Sequence, residues 1–285
     1  METMERMEAF ASLDWLVAMG AEEAIAEDAL DRYALSAVKR AAPATPRSVS
    51  QAQAAPTRPQ AAPVAAMVGL DGAEAAAKAR AEAAKATSLE ELRAALERFD
   101  ALSLTRTATN LVFGDGNPNA GILVLGEAPG AEEDRIGKPF VGPSGLLWDR
   151  MLGAIGLDRR HYFISNMIYW RPPGNRTPTD LEIAACMPFA LRMIELIQPR
   201  ILVLLGRSAA GSMLEVTESM SKLRGRWRPF QRIALDPTPM VLPTYHPAYL
   251  LRTPLHKKYA WRDVLSLKSR LTELDLLPSD PSAMR

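Results

Sequence analysis

From residue 121 to residue 274, short apolar runs alternate with longer amphipathic ones, and that order leaves few architectures open. Residues 122–125, 162–168, 201–205 and 240–242 read as strands, with the apolar character of strands buried on both faces. Residues 144–155, 179–197, 208–214 and 256–274 read as helices between them. Thr179 with Glu182 makes a capping box for the long helix, and Pro199 stops it. Strand and helix in turn predict an α/β fold, a small mainly parallel sheet between helices. Sites in such sheets gather at the carboxyl ends of the strands. Here those ends are residues 126–130, 166–176, 206–208 and 244–252.

The rest of the chain is built differently. At about 150 residues per domain, 285 residues suggest two units, or one domain with an appendage. Residues 41–66 contain ten Ala and five Pro with no Leu, Ile or aromatic residue, which predicts a disordered linker. Residues 1–40 hold nine Asp or Glu against four Lys or Arg; Trp15, Leu16, Met19, Ala26 and Leu30 could line a short amphipathic helix there, whose protein partner, if any, the sequence does not name. Residues 73–86 read as helical. Ser88 with Glu91 caps the next helix, ahead of Leu92, Leu96 and Phe99, so the compact domain is expected over residues 88–277.

Charge and cysteine content narrow the function. The formal net charge is +1, yet residues 220–262 carry nine Lys or Arg against Asp236 alone. Such a block is either a solvated basic face or a polyanion site. One cysteine excludes an internal disulfide and an all-cysteine metal site, and it suits a reducing cytoplasm. No apolar run reaches the roughly 18 residues of a membrane span, so a cytoplasmic protein with no membrane partner is expected.

Gly126-Glu127-Ala128-Pro129-Gly130 is, by itself, only a turn after a strand. It is followed by Glu133-Asp134, by Pro139-Phe140-Val141-Gly142, by Asn166 with Arg171-Pro172-Pro173-Gly174-Asn175-Arg176, and by His246-Pro247-Ala248-Tyr249-Leu250-Leu251-Arg252. Together, in this order, they resemble the motifs of the family 4 uracil-DNA glycosylases, and the likeness runs from about residue 106 to 271. The resemblance implies the three-layer fold of that family and hydrolysis of the N-glycosidic bond of uracil in DNA, by a monomer acting at the nucleoid. It implies uracil contacts from Gly126, Ala128, Phe140 and Asn166, and chemistry from Glu127 and His246. Glu127 would position or activate water and stabilise a cationic sugar, while a neutral His246 would donate to the departing uracil oxygen.

The base must leave the duplex to be reached. Tyr249, Leu250 and Leu251 are candidates for the apolar wedge that fills its place, and Arg224, Arg226, Arg252, Lys257 and Lys258 for phosphate contacts. Glu133 and Asp134 stay undecided between the pocket and a helix N-terminus. Two other readings remain: a module that binds uracil or abasic DNA without turnover, and a nucleotide-binding α/β protein, although no P-loop Lys and Ser pattern exists here. One departure from the family is large. Its 4Fe-4S cluster needs four thiolates, and only Cys186 stands at a ligand position; Trp170 occupies another, and residues 99–106 contain no cysteine. No cofactor is therefore expected, with apolar packing around Trp170 filling the space.

Overall fold

The computed structural model describes residues 72–278; the expected N-terminal helix and linker lie outside them. The chain runs through α1 (Gly72–Lys85), α2 (Leu89–Glu97), α3 (Leu104–Thr107), β1 (Asp115–Gly116), β2 (Ile122–Gly126), α4 (Ala131–Ile136), α5 (Pro143–Gly153) and β3 (Phe163–Asn166). It continues with α6 (Asp180–Ile197), β4 (Ile201–Leu205), α7 (Gly206–Leu214), α8 (Met220–Leu223), β5 (Arg228–Pro229), β6 (Met240–Thr244), α9 (Pro247–Arg252) and α10 (Lys257–Glu273).

The six strands form one sheet in the order β1-β3-β2-β4-β6-β5. The four inner strands are parallel, and only the two-residue edge strands β1 and β5 run antiparallel. Alternate residues of β2 and β4 feed two separate cores. Leu123, Leu125, Leu202 and Leu204 join α1, α2, α6 and α7 on one side, and Ile122, Val124, Ile201 and Val203 join α5 and α10 on the other. This is the predicted three-layer α/β arrangement. From β2 the chain steps to β3 on one side and then crosses to β4 on the other, so the direction of winding reverses at β2.

The packed body takes in α1 as well as the expected residues 88–277. Ala75, Ala79 and Ala83, spaced at four residues, are buried in the same core as α6. The expected capping box of α2 is offset by one residue. Ser88 accepts from Glu91 N–H at 3.2 Å, but the Glu91 carboxylate reaches back to Thr87 N–H at 2.7 Å. On α6 the predicted box forms in full: Thr179 Oγ1 accepts from Glu182 N–H at 3.2 Å, and Glu182 accepts from Thr179 N–H at 2.8 Å.

Candidate active site

The cleft at the carboxyl ends of β2, β3 and β6 has a volume of about 420 Å³, in the range of ordinary ligand sites. Its walls include Glu127, Glu133, Phe140, Asn166, Asn175, His246, Tyr249 and Arg252. A larger hollow of about 670 Å³ between α1, α6 and α7 holds no motif residue.

Each wall has a local cause. The turn after β2 is pinned to the segment after β3, where Met167 and Ile168 donate to the Gly126 and Glu127 carbonyls, both at 3.0 Å. Gly126 is needed because a Cβ there would collide with the Asn166 side-chain oxygen and lie 2.6 Å from Phe140 Cζ. Phe140 has φ of 55°, in the left-handed region, a strained conformation for a bulky residue. Arg159 Nη2 holds its carbonyl at 2.7 Å, and Gly145 lets the first turn of α5 press against that carbonyl. Glu133 fixes the loop from below: one oxygen accepts from Val141 and Gly142 N–H at 3.0 and 2.9 Å, the other from Gly130 N–H at 3.1 Å. Asp134 accepts from Thr109 and Asn110 N–H at 2.8 and 3.0 Å, so it ties α4 to the preceding loop. Both carboxylates, undecided in the sequence, are loop clamps, and Glu133 also lines the cleft.

His246 begins α9. Its Nδ1 accepts from Ala248 N–H at 3.1 Å, which leaves Nε2 to carry the proton of the neutral ring. Burial, with the nearby charge of Arg252, pushes the imidazole down to about 4. The ring centroid is 5.8 Å from that of Phe140, tilted by 31°. Gly206, with φ of 90°, allows close approach, since a Cβ there would sit 3.0 Å from His246 Cβ. Glu127 is half-buried; burial raises its carboxyl and the Ser208 hydroxyl opposes the rise. Asn166 Oδ1 is buried with no hydrogen-bond partner, an open acceptor beside the cleft. The sequence pattern points to residues 206–208 as a site segment but does not single out Ser208.

A carboxylate, a neutral imidazole donor, an aromatic wall and an orphan amide acceptor thus meet at one strand-end crevice. The uracil DNA glycosylase superfamily model matches residues 113–265, over half of the chain. The chain belongs to this superfamily. It is 38% identical over 199 residues to a type-4 uracil-DNA glycosylase of Sulfurisphaera tokodaii, covering 67% of this chain and 86% of the relative. It is 40% identical over 161 residues to the type-4 enzyme of Thermotoga maritima, covering 55% and 80%. A type-5 uracil-DNA glycosylase of Thermus thermophilus is 34% identical over 153 residues, covering 47% and 68%.

The residues expected to contact DNA differ in their surroundings. Arg252 and Arg226 are exposed, and Arg252 lines the cleft. Arg224 does not fit the expected phosphate role. Its Nε donates to Asp263 at 2.9 Å, its Nη2 bonds the other Asp263 oxygen and the Tyr259 carbonyl, and Asp263 also accepts from Thr244 Oγ1 at 2.7 Å. Leu250 does not fit the wedge, because it is buried with Tyr245 and Ala260 in a small core of its own. Tyr249 lines the cleft, and Leu251 is exposed. Leu255, which no sequence motif singles out, is 80% exposed on the 3-10 turn Pro254–His256, just ahead of the basic Lys257 and Lys258.

The residues at the family's cluster positions do not fit four-thiolate ligation. Cys186 is fully buried, and burial pushes its thiol up to about 12. Trp170 stacks on Phe99 at 6.4 Å and 21°, and Phe99 meets Phe189 edge-on at 5.2 Å. Among the described residues no group of three His, Cys, Asp or Glu is arranged to hold a metal, and no helix is long and apolar enough to cross a membrane.

Proposed function

We propose that this protein hydrolyses the N-glycosidic bond between uracil and deoxyribose in DNA, releasing free uracil and leaving an abasic site. The observation that carries the proposal is the pairing of Glu127 with a half-buried, neutral His246 across a cleft walled by Phe140 and Asn166. The type-4 relatives carry the same activity in their names.

Cleavage moves the bonding electrons onto the base, giving an oxocarbenium-like sugar and a uracil anion. A carboxylate at Glu127 stabilises that sugar and takes the proton of the water that attacks the anomeric carbon. Nε2–H of His246 donates to the uracil oxygen on which charge develops, in a setting where little solvent competes. Phe140 supplies a face for the base, with Gly126 and Ala128 forming the turn beside it, and the open Asn166 acceptor matches a ring N–H of uracil. Leu251 and Leu255 present exposed apolar side chains to the emptied stack, with Arg226, Arg252, Lys257 and Lys258 available to phosphates.

The reading includes action without an iron-sulfur cluster, supported by the single, buried thiol and by the stacking of Trp170 on Phe99. It also includes a monomer working in the cytoplasm, where one unpaired cysteine is at home. Incubating purified protein with a labelled uracil-containing oligonucleotide tests the reading. Free uracil and alkali-labile abasic sites are expected. Tight binding with no uracil release would instead make the protein a recognition module.

A further inference from the structure

The corner between α9 and α10 contains an aromatic group that none of the roles above uses. His256, on the turn Pro254–His256, lies among three tyrosines, with ring centroids 5.4 Å from Tyr245, 5.4 Å from Tyr249 and 5.6 Å from Tyr259. Its Nδ1 shares a hydrogen bond of 2.8 Å with the Tyr249 hydroxyl. Tyr245 and Tyr249 are themselves 5.1 Å apart. Of these four rings only Tyr249 lines the cleft. Its hydroxyl is therefore already engaged outside the cleft, and what it offers inside is the body of the ring.

We infer that His256 is a positioning residue, which braces Tyr249 as a preformed wall at the cleft mouth and so favours entry of the extruded nucleotide. A tyrosine held only by packing would have to be ordered when DNA binds, and that ordering would weaken binding. With the hydroxyl held by a ring at the start of α10, whose next residues are Lys257 and Lys258, the cost is met before substrate arrives. The turn that carries exposed Leu255 is thereby tied to the cleft wall by one side-chain bond. The brace acts on substrate capture and makes no contact with the reacting atoms.

This inference rests on the proposed glycosylase activity, and its test keeps the two apart. Single-turnover uracil release and fluorescence-anisotropy binding to a uracil-containing strand are measured for wild type, His256→Leu, His256→Asn, Tyr249→Phe and the double variant His256→Leu with Tyr249→Phe. If wild type releases no uracil, the activity fails while the binding arm still tests the brace. Loss of one neutral hydrogen bond is worth about 1 kcal/mol, so His256→Leu should raise the half-saturating DNA concentration about fivefold, with its saturated rate within about twofold of wild type. Asparagine can replace Nδ1, so His256→Asn should bind as wild type does. In the Tyr249→Phe background, where the bond is already gone, His256→Leu should weaken binding no further. Undiminished weakening in that background, wild-type binding by His256→Leu, or a saturated rate that falls with the melting temperature would each overturn the brace.

Discussion

Replacing His246 with asparagine separates its titration from its part in the fold. An Asn side-chain oxygen can take the bond that Nδ1 now accepts from Ala248 N–H, so the start of α9 keeps its cap. What disappears is a group whose folded value, about 4, lies well below its ordinary 6.5. As pH falls past 6.5 the unfolded chain takes up this proton, whereas the folded chain refuses it until about pH 4. The stability tied to a neutral His246 is therefore complete above pH 6.5 and is lost as pH falls through that window. Linkage between the two values puts the loss at pH 4.5 at about 2.5 kcal/mol relative to pH 7.5. Urea unfolding at both pH values, on wild type and His246→Asn, reads the difference directly, because the other acid-sensitive groups are common to both. Wild type should lose about 2.5 kcal/mol more than the variant. Equal losses would refute the neutral imidazole at His246, and the Nε2 donor proposed for the uracil oxygen would go with it.

Glu127→Gln should slow single-turnover release by ~10² or more while uracil-DNA binding persists, since it removes charge needed only in the transition state. In wild type, release should fall as pH drops through the raised Glu127 value. Ser208→Ala removes the one influence that lowers it, so a pH–rate profile should show that acid limb displaced to higher pH. Arg224→Ala should cost about 3 kcal/mol in urea unfolding by leaving Asp263 buried and unpaired, whereas Arg226→Ala should leave stability unchanged and make the salt dependence of DNA binding shallower. Trp170→Ala should destabilise by ~3 kcal/mol or more in the same assay, and wild-type protein should contain no stoichiometric iron by elemental analysis. Removal of residues 1–66 should leave cooperative unfolding and uracil release intact, both measured on the truncated chain.

The sheet was legible because its signal is local. Residues 201–205 are apolar throughout and are β4 to the residue, and the Thr179–Glu182 box starts α6 where the spacing puts it. The carboxyl ends of these strands point to the cleft from the sequence alone. What stayed hidden depends on partners distant in sequence or on elements too short to show a period. Arg224 looks like a free cation in a basic stretch, since Asp263, its partner, is 39 residues away. Leu250 and Leu251 are equivalent in the sequence, and only the packing of α9 against Ala260 buries the first and exposes the second. The six residues of α4 and the two-residue edge strands carry no readable periodicity.

The clamps explain why a site made largely of loops can be ready for its substrate. Phe140 in the left-handed region costs on the order of 1–3 kcal/mol, and a free loop would relax out of it. Three features oppose that relaxation: Arg159 on the Phe140 carbonyl, Glu133 on the next two amides, and the close contact that Gly145 allows. Arg159 is itself held by Asp149 on α5, which also accepts from the Tyr162 hydroxyl at 2.7 Å, just ahead of β3. The strain at Phe140 is thus borne by α4, α5 and the approach to β3, all of them outside the reacting centre. On the proposed reading, a base entering the cleft meets a ring already in place, so the binding energy of the base need not be spent on ordering the loop, and it remains available to the transition state.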